Sequence, residues 1–505
     1  MSKWWPLVAI CLGTFVLLLD LTIVNVALPA MATSLNARFS DLQWVVDGYV
    51  VGLVVLPLTF GTLADLHGRR RGYLIGLVLF AATSLACGLA TTPMLLIGAR
   101  VAQGVGGALM FATTLALLSR TYGGRDRGTA YGVWGAVLGG ATAIGPIAGG
   151  VLTEYLSWRW IFLVNVPICA AAVGLSLAVL AESANPRARR VDWPGVLLFS
   201  FAMTCLLLGL IDTAAWAPWM YLVSTLALAA FVVIELRRDE PMLDLGLLRN
   251  RAFLAVSIAA MTMPFAVFSL FLFLALWTQS VLGMSPVQAG LVFMPLSLVQ
   301  LATSILSGKY LHTRIAERTQ ITVGLLVCGC SVLLFRGLDN HSSWPALMPG
   351  MLLGGLGVGL ASAPLISAAM SVVPPDQAGM ASGANSTFQR LGSALGIAIL
   401  GVLFAHEVQS QLAVSGTGTG IPGFAAAVAG GGTPELLAAT PQPARAALAD
   451  HIKTGFTAGL NHTFTIAATV AFIGAAVAWS IKTPEVQDVS HRTDTARIVP
   501  EPKPR

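Results

Sequence analysis

Long apolar stretches separated by short polar breaks dominate the chain. Each is close to 20 residues long, the length that an α-helix needs to cross the hydrocarbon core of a membrane. The pattern predicts fourteen such spans, an even number that leaves both termini on one side. They cover residues 5–29, 42–64, 72–90, 93–118, 129–153, 161–180, 194–211, 219–234, 253–277, 286–307, 321–335, 344–372, 386–405 and 456–481.

The composition agrees with an all-α polytopic membrane protein. Hydrophobic residues make up 56% of the 505 residues and charged residues only 10%, against roughly 25% charged in a soluble domain. So few charges cannot cover the surface of a water-soluble fold, whereas a chain in lipid needs them only in loops and at working sites. Disorder is excluded as well, because Gly and Pro fall within apolar runs rather than in polar tracts.

The positive residues predict the orientation of the chain. In a soluble protein the net charge of +6 would suggest a nucleic-acid partner. Here most Lys and Arg residues fall in predicted loops on one face of the membrane, and the positive-inside rule makes that face cytoplasmic. Arg390, near the start of the predicted span 386–405, is counted with the cytoplasmic loops. We therefore expect cytoplasmic termini and no nucleic acid. Arg100 falls within a span.

The sequence shows no catalytic or metal centre. The six cysteines lie in apolar stretches without disulfide or zinc spacing. Almost all His residues lie in loops or at span ends, so no nucleophile and base are paired within the spans. The phosphate-binding loop of ATPases is missing too. We expect no metal, no cofactor and no catalytic residue, with a membrane enzyme or a sensor as a remaining alternative.

Three ionisable residues lie well inside predicted spans: Asp20 in span 1, Asp47 in span 2 and Arg100 in span 4. Charges at membrane depth are costly and therefore candidates for function. Counted along the helices, all three lie at a similar depth in the outer half of the bilayer. Either they form a proton- and cation-handling group, or Arg100 pairs with one Asp as a structural link while Asp47 is wetted from outside.

The loop after span 2 contains Gly61, Asp65, Gly68, Arg69 and Arg70. Gly allows a tight turn, an acid near a helix terminus can bind the positive end of a helix dipole, and Arg can pair with acids or lipid phosphate. The loop is therefore either a charged gate or a plain cytoplasmic anchor.

Span 5 carries a face of small residues with a proline break, at Gly145, Pro146, Gly149 and Gly150. Such a face lets helices approach closely and bend. Ordinary packing and a role in gating explain it equally well when it is considered alone.

Together these segments resemble the major facilitator superfamily, and specifically its drug:proton antiporters with fourteen spans. The resemblance runs to about residue 481. It is carried, in order along the chain, by segments 20–29, 43–49, 61–71, 100–104, 145–150 and 157–167.

The resemblance implies a secondary active transporter rather than an enzyme, in which a proton gradient drives drug outward by alternating access. It implies that Asp20 and Asp47 handle proton and substrate charge and that Arg100 tunes the proton affinity of the acid. It also implies a cytoplasmic gate at Gly61, Asp65, Gly68, Arg69 and Arg70, and an antiporter motif at Gly145, Pro146, Gly149 and Gly150.

The implied architecture is two six-helix bundles, residues 1–181 and 251–481, with two additional helices in residues 182–250. We expect an extracellular loop at 406–455 and a disordered cytoplasmic tail at 482–505. The expected setting is the bacterial cytoplasmic membrane, and the expected oligomeric state is a monomer.

Two functions remain open within this fold. One is export of many hydrophobic, cationic drugs, which would confer drug resistance. The other is a dedicated self-resistance exporter for a single antibiotic or metabolite. A panel of drug susceptibilities separates them.

Overall fold

The computed structural model consists of long helices connected by short turns. It describes residues 3–122, 124–183, 192–211, 216–238, 245–307, 314–339, 342–373, 378–414 and 442–481, with residues 241, 311, 428 and 440 as isolated positions. Within these ranges, twelve helical segments are long and apolar enough to cross a membrane by length and composition. The prediction of an all-helical polytopic fold is confirmed.

The first part of the chain, which we call the first half, contains helices α1 to α8. Their bounds are α1 Trp5–Leu35, α2 Phe39–Val55, α3 Pro57–His67, α4 Arg69–Gly88, α5 Pro93–Thr121, α6 Gly124–Tyr155, α7 Trp160–Leu163 and α8 Asn165–Val179. The helices α9 Trp193–Ile211 and α10 Ala217–Glu235 follow, and we call them the central pair.

The remaining helices begin with the short α11, and we call α12 to α18 the second half. Their bounds are α11 Gly246–Arg249, α12 Arg251–Ala266, α13 Leu270–Leu276, α14 Pro286–Leu306, α15 Glu317–Phe335, α16 Met348–Ser371, α17 Ala378–Val414 and α18 Gln442–Trp479. A π-helical turn, Trp277–Val281, follows α13, and a 3₁₀ turn, Trp344–Leu347, precedes α16.

Two predicted spans coincide with helices outside the twelve. Span 2 is divided into α2 and α3 at Leu56, because Pro57 has no N–H to donate and its ring clashes with the preceding turn. Span 5 lies within α6, where many glycines reduce the mean hydropathy. The count of fourteen spans therefore stays a prediction.

The central pair packs beside the interface between the first and second halves, which we call the seam. The helices α9 and α10 contact each other, and α9 also contacts α2 and α17. Val50 of α2, Val196 and Leu207 of α9, and Ala394 of α17 share one buried apolar cluster. The described residues thus place α9 against both halves. Of the cytoplasmic linkers predicted on either side of the central pair, at 182–192 and 235–251, positions 184–191, 239–240 and 242–244 lie outside the described residues.

The two halves meet at the end of the molecule that the sequence predicts to be outer. Helix α6 crosses α14 there, and the Glu154 carboxylate accepts a hydrogen bond from the Val287 backbone N–H at 3.0 Å. Nearby, Gln279 Nε2 donates to the Val26 carbonyl at 2.8 Å, and Gln43 Nε2 donates to a carbonyl of α17 at 2.9 Å. These contacts close the seam at that end.

Two boundaries differ from the sequence prediction. Helices extend into the predicted extracellular loop from both sides, since α17 continues to Val414 and α18 begins at Gln442, and positions 415–427, 429–439 and 441 lie outside the described residues. Arg390 lies within α17 rather than in a cytoplasmic loop. The predicted tail at 482–505 is also outside the described residues.

Substituting Gly150 tests the close contact between α6 and α14. A Cβ at Gly150 would lie 2.6 Å from the Pro286 carbonyl oxygen, whereas a Cβ at Gly140 of the same helix meets open space. We expect Gly150→Leu to lower the free energy of unfolding in detergent by about 1–3 kcal/mol through overpacking. The matched Gly140→Leu variant should cost less than that, and equal losses in both would contradict the close contact.

Candidate functional site

Asp20 and Arg100 form a buried ion pair between α1 and α5. Arg100 Nη1 donates to Asp20 Oδ2 at 2.5 Å, and the two side chains are 1% and 0% exposed. Lone buried charges of either sign are very costly, so each residue neutralises the other. The structure thus brings together two of the three membrane-depth charges that the sequence singled out.

Neutral polar side chains from three helices complete the site around this pair. Asp20 Oδ1 accepts hydrogen bonds from Gln103 Nε2 at 3.0 Å and from Asn165 Nδ2 at 2.8 Å. Both amides also donate to Ser84 Oγ, at 2.6 Å and 3.2 Å. Gln103 Oε1 in turn accepts from Arg100 Nη1 at 2.7 Å. We call Asp20, Arg100, Gln103, Asn165 and Ser84 the buried polar network.

Aromatic rings and a backbone carbonyl hold the Arg100 guanidinium in place. Its Cζ lies 4.2 Å from the ring centroid of Tyr49 and 5.6 Å from that of Phe162. Its Nε donates to the Val45 carbonyl at 3.0 Å. Because Tyr49 and Val45 belong to α2, the guanidinium connects the buried polar network to the helix that faces the second half.

Asp47 is buried but stays apart from this network. Its side chain is 0% exposed, and neither carboxyl oxygen has a hydrogen-bond partner among the described residues. It shares a face of α2 with Gln43 and Val50, since they are four and three residues away. Gln43 bonds to Ile397 and Val50 packs on Ala394, so Asp47 faces α17. The structure therefore does not bring Asp47 together with Asp20 and Arg100, and its role in handling charge stays a prediction.

The antiporter motif in α6 contacts helices on two sides. A Cβ at Gly149 would lie 2.6 Å from the Ile23 carbonyl oxygen of α1, and the nearest atoms to a Cβ at Gly145 belong to Thr22. Gly150 and Pro146 instead adjoin α14 of the second half. The small residues therefore allow α6 to lie tightly between α1, which carries Asp20, and the second half.

The predicted cytoplasmic gate residues lie at the junction of α3 and α4. Gly61 and Asp65 lie on α3, and the Asp65 side chain is outside what the structure describes. Gly68 makes the turn with φ of +116°, a conformation that L side chains rarely adopt. Arg69 and Arg70 begin α4.

Glu182, which the sequence analysis did not single out, caps the N-terminus of α4. Its carboxylate accepts hydrogen bonds from the backbone N–H groups of Arg70 at 3.0 Å and Arg71 at 3.1 Å. The Arg69 N–H donates to the Ser183 carbonyl at 2.9 Å, and Arg70 Nη2 donates to the Leu177 carbonyl at 2.7 Å. An acid at this end of a helix also complements the helix dipole.

This cap joins the gate loop to the start of the connection to the central pair. Local sequence could not indicate it, because Glu182 and Arg70 are 112 residues apart. Gln103 and Asn165 could have been identified from the sequence, since both are polar residues in apolar surroundings within segments 100–104 and 157–167. Arg390 was missed because, four residues into the predicted span 386–405, it was counted with the cytoplasmic loop charges.

Comparison with known proteins identifies the class. Residues 10–397 match the model of the Major Facilitator Superfamily. The chain belongs to this superfamily, whose members are membrane transporters and not enzymes, and it is therefore a multi-pass membrane protein.

Two relatives have names that refer to resistance. The chain is 39% identical over 415 residues to "Multidrug resistance protein Stp" of Mycobacterium tuberculosis, covering 80% of this chain and 76% of that protein. It is 33% identical over 490 residues to the "Tetracenomycin C resistance and export protein" of Streptomyces glaucescens, covering 94% and 91%.

A solved structure shows the same fold. The crystal structure of a bacterial homolog to the human lysosomal transporter Spinster, in an inward-facing and unoccupied conformation, superposes with a TM-score of 0.66. The sequences are 16% identical, and the match covers 96% of this chain and 99% of that one.

A double-mutant cycle tests the buried ion pair. Arg100→Met leaves Asp20 as an unpaired buried charge, so we expect it to lower the free energy of unfolding by about 3–5 kcal/mol. Adding Asp20→Asn should recover part of that loss. As a control, Arg159→Met removes an arginine that is 4.4 Å from the ring centroid of Trp158 and should cost less. Additive losses for Asp20→Asn and Arg100→Met would contradict the pair.

Hydrogen exchange tests the Glu182 cap. Glu182→Ala removes the acceptor of the Arg70 and Arg71 amides, so their exchange, followed by mass spectrometry, should accelerate about tenfold or more. Glu317→Ala is the control, because its carboxylate accepts from Ser367 and Ser371 hydroxyls far along the chain. Unchanged exchange at the start of α4 in Glu182→Ala would show that the cap contributes nothing there.

Proposed function

We propose that this protein is a proton-coupled antiporter that exports hydrophobic, cationic drugs across the bacterial cytoplasmic membrane. Membership in the superfamily and relatives named for multidrug resistance and antibiotic export support export as the function. The observation that carries the proton coupling is the buried ion pair of Asp20 and Arg100.

Asp20 is the proton site in this proposal. As a carboxylate it is held by Arg100, Gln103 and Asn165. A proton on Asp20 removes the negative charge that the guanidinium neutralises, so Arg100 then prefers other acceptors. Because Arg100 also bonds to the Val45 carbonyl and stacks on Tyr49, the change is transmitted to α2.

Asp47 carries the second charge. A buried carboxylate without a partner costs several kcal/mol, so in this proposal either a proton or a cation satisfies it. Its place on α2 opposite α17 puts it at the seam between the halves, where a cationic drug passing between them would meet it. Proton and drug thereby exclude each other at this carboxyl group, which couples their movements.

The gates are at the two ends of the seam. At the outer end, α6 packs on α14 and Glu154 bonds to the Val287 N–H. Toward the cytoplasm, the loop with Gly68, Arg69 and Arg70 is tied down by Glu182. Rocking of the halves opens one end while the other closes. We place both termini in the cytoplasm and take the monomer as the working unit.

A second candidate is a dedicated exporter for one antibiotic. It is favoured by the relative whose name mentions a single compound, the tetracenomycin C resistance and export protein. Drug susceptibilities of cells with and without the gene distinguish the two. Resistance confined to one compound would support this candidate and contradict multidrug export.

Ethidium accumulation in energised inside-out vesicles tests the proposal. Collapsing the proton gradient should abolish accumulation, and Asp20→Asn should reduce it to the level without a gradient, because the proton site is gone. Asp47→Asn should impair cationic substrates more than neutral ones. Asp41→Asn, which changes an acid in the first turn of α2, is the control and should retain transport. Accumulation that survives collapse of the gradient would disprove proton coupling.

A further inference from the structure

Arg390 places a second guanidinium within a membrane-spanning helix. It lies six residues after the start of the apolar segment Ala384–Ala413 of α17, about 9 Å along the helix. A hydrocarbon core is roughly 30 Å thick. The side chain is half-buried. A charge at this depth marks a functional site by default.

The side chain of Arg390 reaches across the seam to the first half. Its Cζ lies 4.9 Å from the ring centroid of Phe111 on α5. Phe111 lies seven residues before the end of the apolar segment Pro93–Leu118 of α5, about 10 Å along that helix, which is a matching depth. The guanidinium therefore lies between the halves, where transporters of this architecture bind their substrates.

Arg390 is not neutralised in the way that Arg100 is. No carboxylate among the described residues lies within ion-pair distance of it, since Asp20 pairs with Arg100 and the other pairs are elsewhere. The Phe111 ring attracts one face of the guanidinium but accepts none of the in-plane N–H donors at its edge. Those donors form a fork that fits a carboxylate.

We propose that Arg390 recognises an acidic group, a carboxylate or an ionised phenol, on a planar aromatic substrate that lies beside Phe111. The substrate class then includes amphoteric aromatic compounds, whose acidic end binds Arg390 and whose cationic end faces Asp47. This inference rests on the proposed export function and makes its substrate class more specific, because a purely cationic drug gains nothing from Arg390.

Two dyes with the same ring system test the inference. Rhodamine 110 carries a free carboxylate, and rhodamine 123 is its methyl ester. Accumulation of each dye in energised inside-out vesicles gives kcat/KM for transport. We expect the wild-type protein to transport both dyes, with rhodamine 110 at least as efficiently as rhodamine 123.

Arg390→Gln removes the charge and should lower kcat/KM for rhodamine 110 roughly 10- to 100-fold, the factor expected for a lost charged hydrogen bond. Rhodamine 123 should change less than twofold. Arg390→Lys keeps the charge without the fork, so the ratio of kcat/KM for rhodamine 110 to that for rhodamine 123 should be intermediate. Arg318→Gln is the matched control, because the Arg318 guanidinium lies 5.2 Å from the Trp479 ring centroid at a helix end and should leave the ratio unchanged.

The outcomes separate the two proposals. If the wild-type protein transports rhodamine 123 but not rhodamine 110, the inference about Arg390 is wrong while export stands. If Arg390→Gln lowers transport of both dyes equally, Arg390 is structural and the inference also fails. If neither dye is transported but ethidium is, this inference is wrong while the proposed function stands, and if ethidium is not transported either, the proposed multidrug export fails as well. If Arg390→Gln does not fold, the ratio of kcat/KM for rhodamine 110 to that for rhodamine 123 is compared between the wild-type protein and Arg390→Lys. An unchanged ratio in Arg390→Lys would then contradict the inference.

Discussion

A pair of charges inside a membrane must be neutralised and hydrogen-bonded by the protein itself, and the Asp20–Arg100 pair imposes this requirement on five helices. Helices α1 and α5 supply the charges, α4 and α8 supply Ser84 and Asn165, and α2 supplies the Val45 carbonyl and the Tyr49 ring. Each of these groups fits only if its helix has the correct rotation and height. The arrangement of the first half therefore depends on satisfying this one pair.

The same pair explains how distant parts of the molecule are connected. α1 carries Asp20 on one side, while Thr22 and Ile23 adjoin the small residues of α6, which in turn contacts α14. α2 bonds to Arg100 through a carbonyl and faces α17 with Asp47 and Val50. Asp20 therefore lies within one layer of helices of two contacts between the halves, α6 with α14 and α2 with α17. No loop intervenes between Asp20 and either contact.

The sequence predicted well what depends on position along a helix. The lengths of the apolar stretches predicted the helices. Counting residues along them placed Asp20 and Arg100 at one depth, where the two side chains form an ion pair. It did not predict rotation about the helix axis, so Asp47 could be assigned a depth but not a neighbour. Contacts between remote segments, such as Glu182 with Arg70, have no local signal. Arg390 was counted with a cytoplasmic loop because it lies only four residues after the predicted start of its span at 386, whereas α17 begins eight residues earlier, at Ala378.

At two points in the contact between α6 and α14 the helices meet through main-chain atoms: Gly150 lies against the Pro286 carbonyl, and Gly290 against that of Pro146. No side chains interlock at these two points, so the close approach there does not depend on which side chains line the rest of the seam. Side chains along the seam can then change over evolutionary time without altering how the halves move. A transporter with such a contact can acquire new substrates without a change in how its halves move.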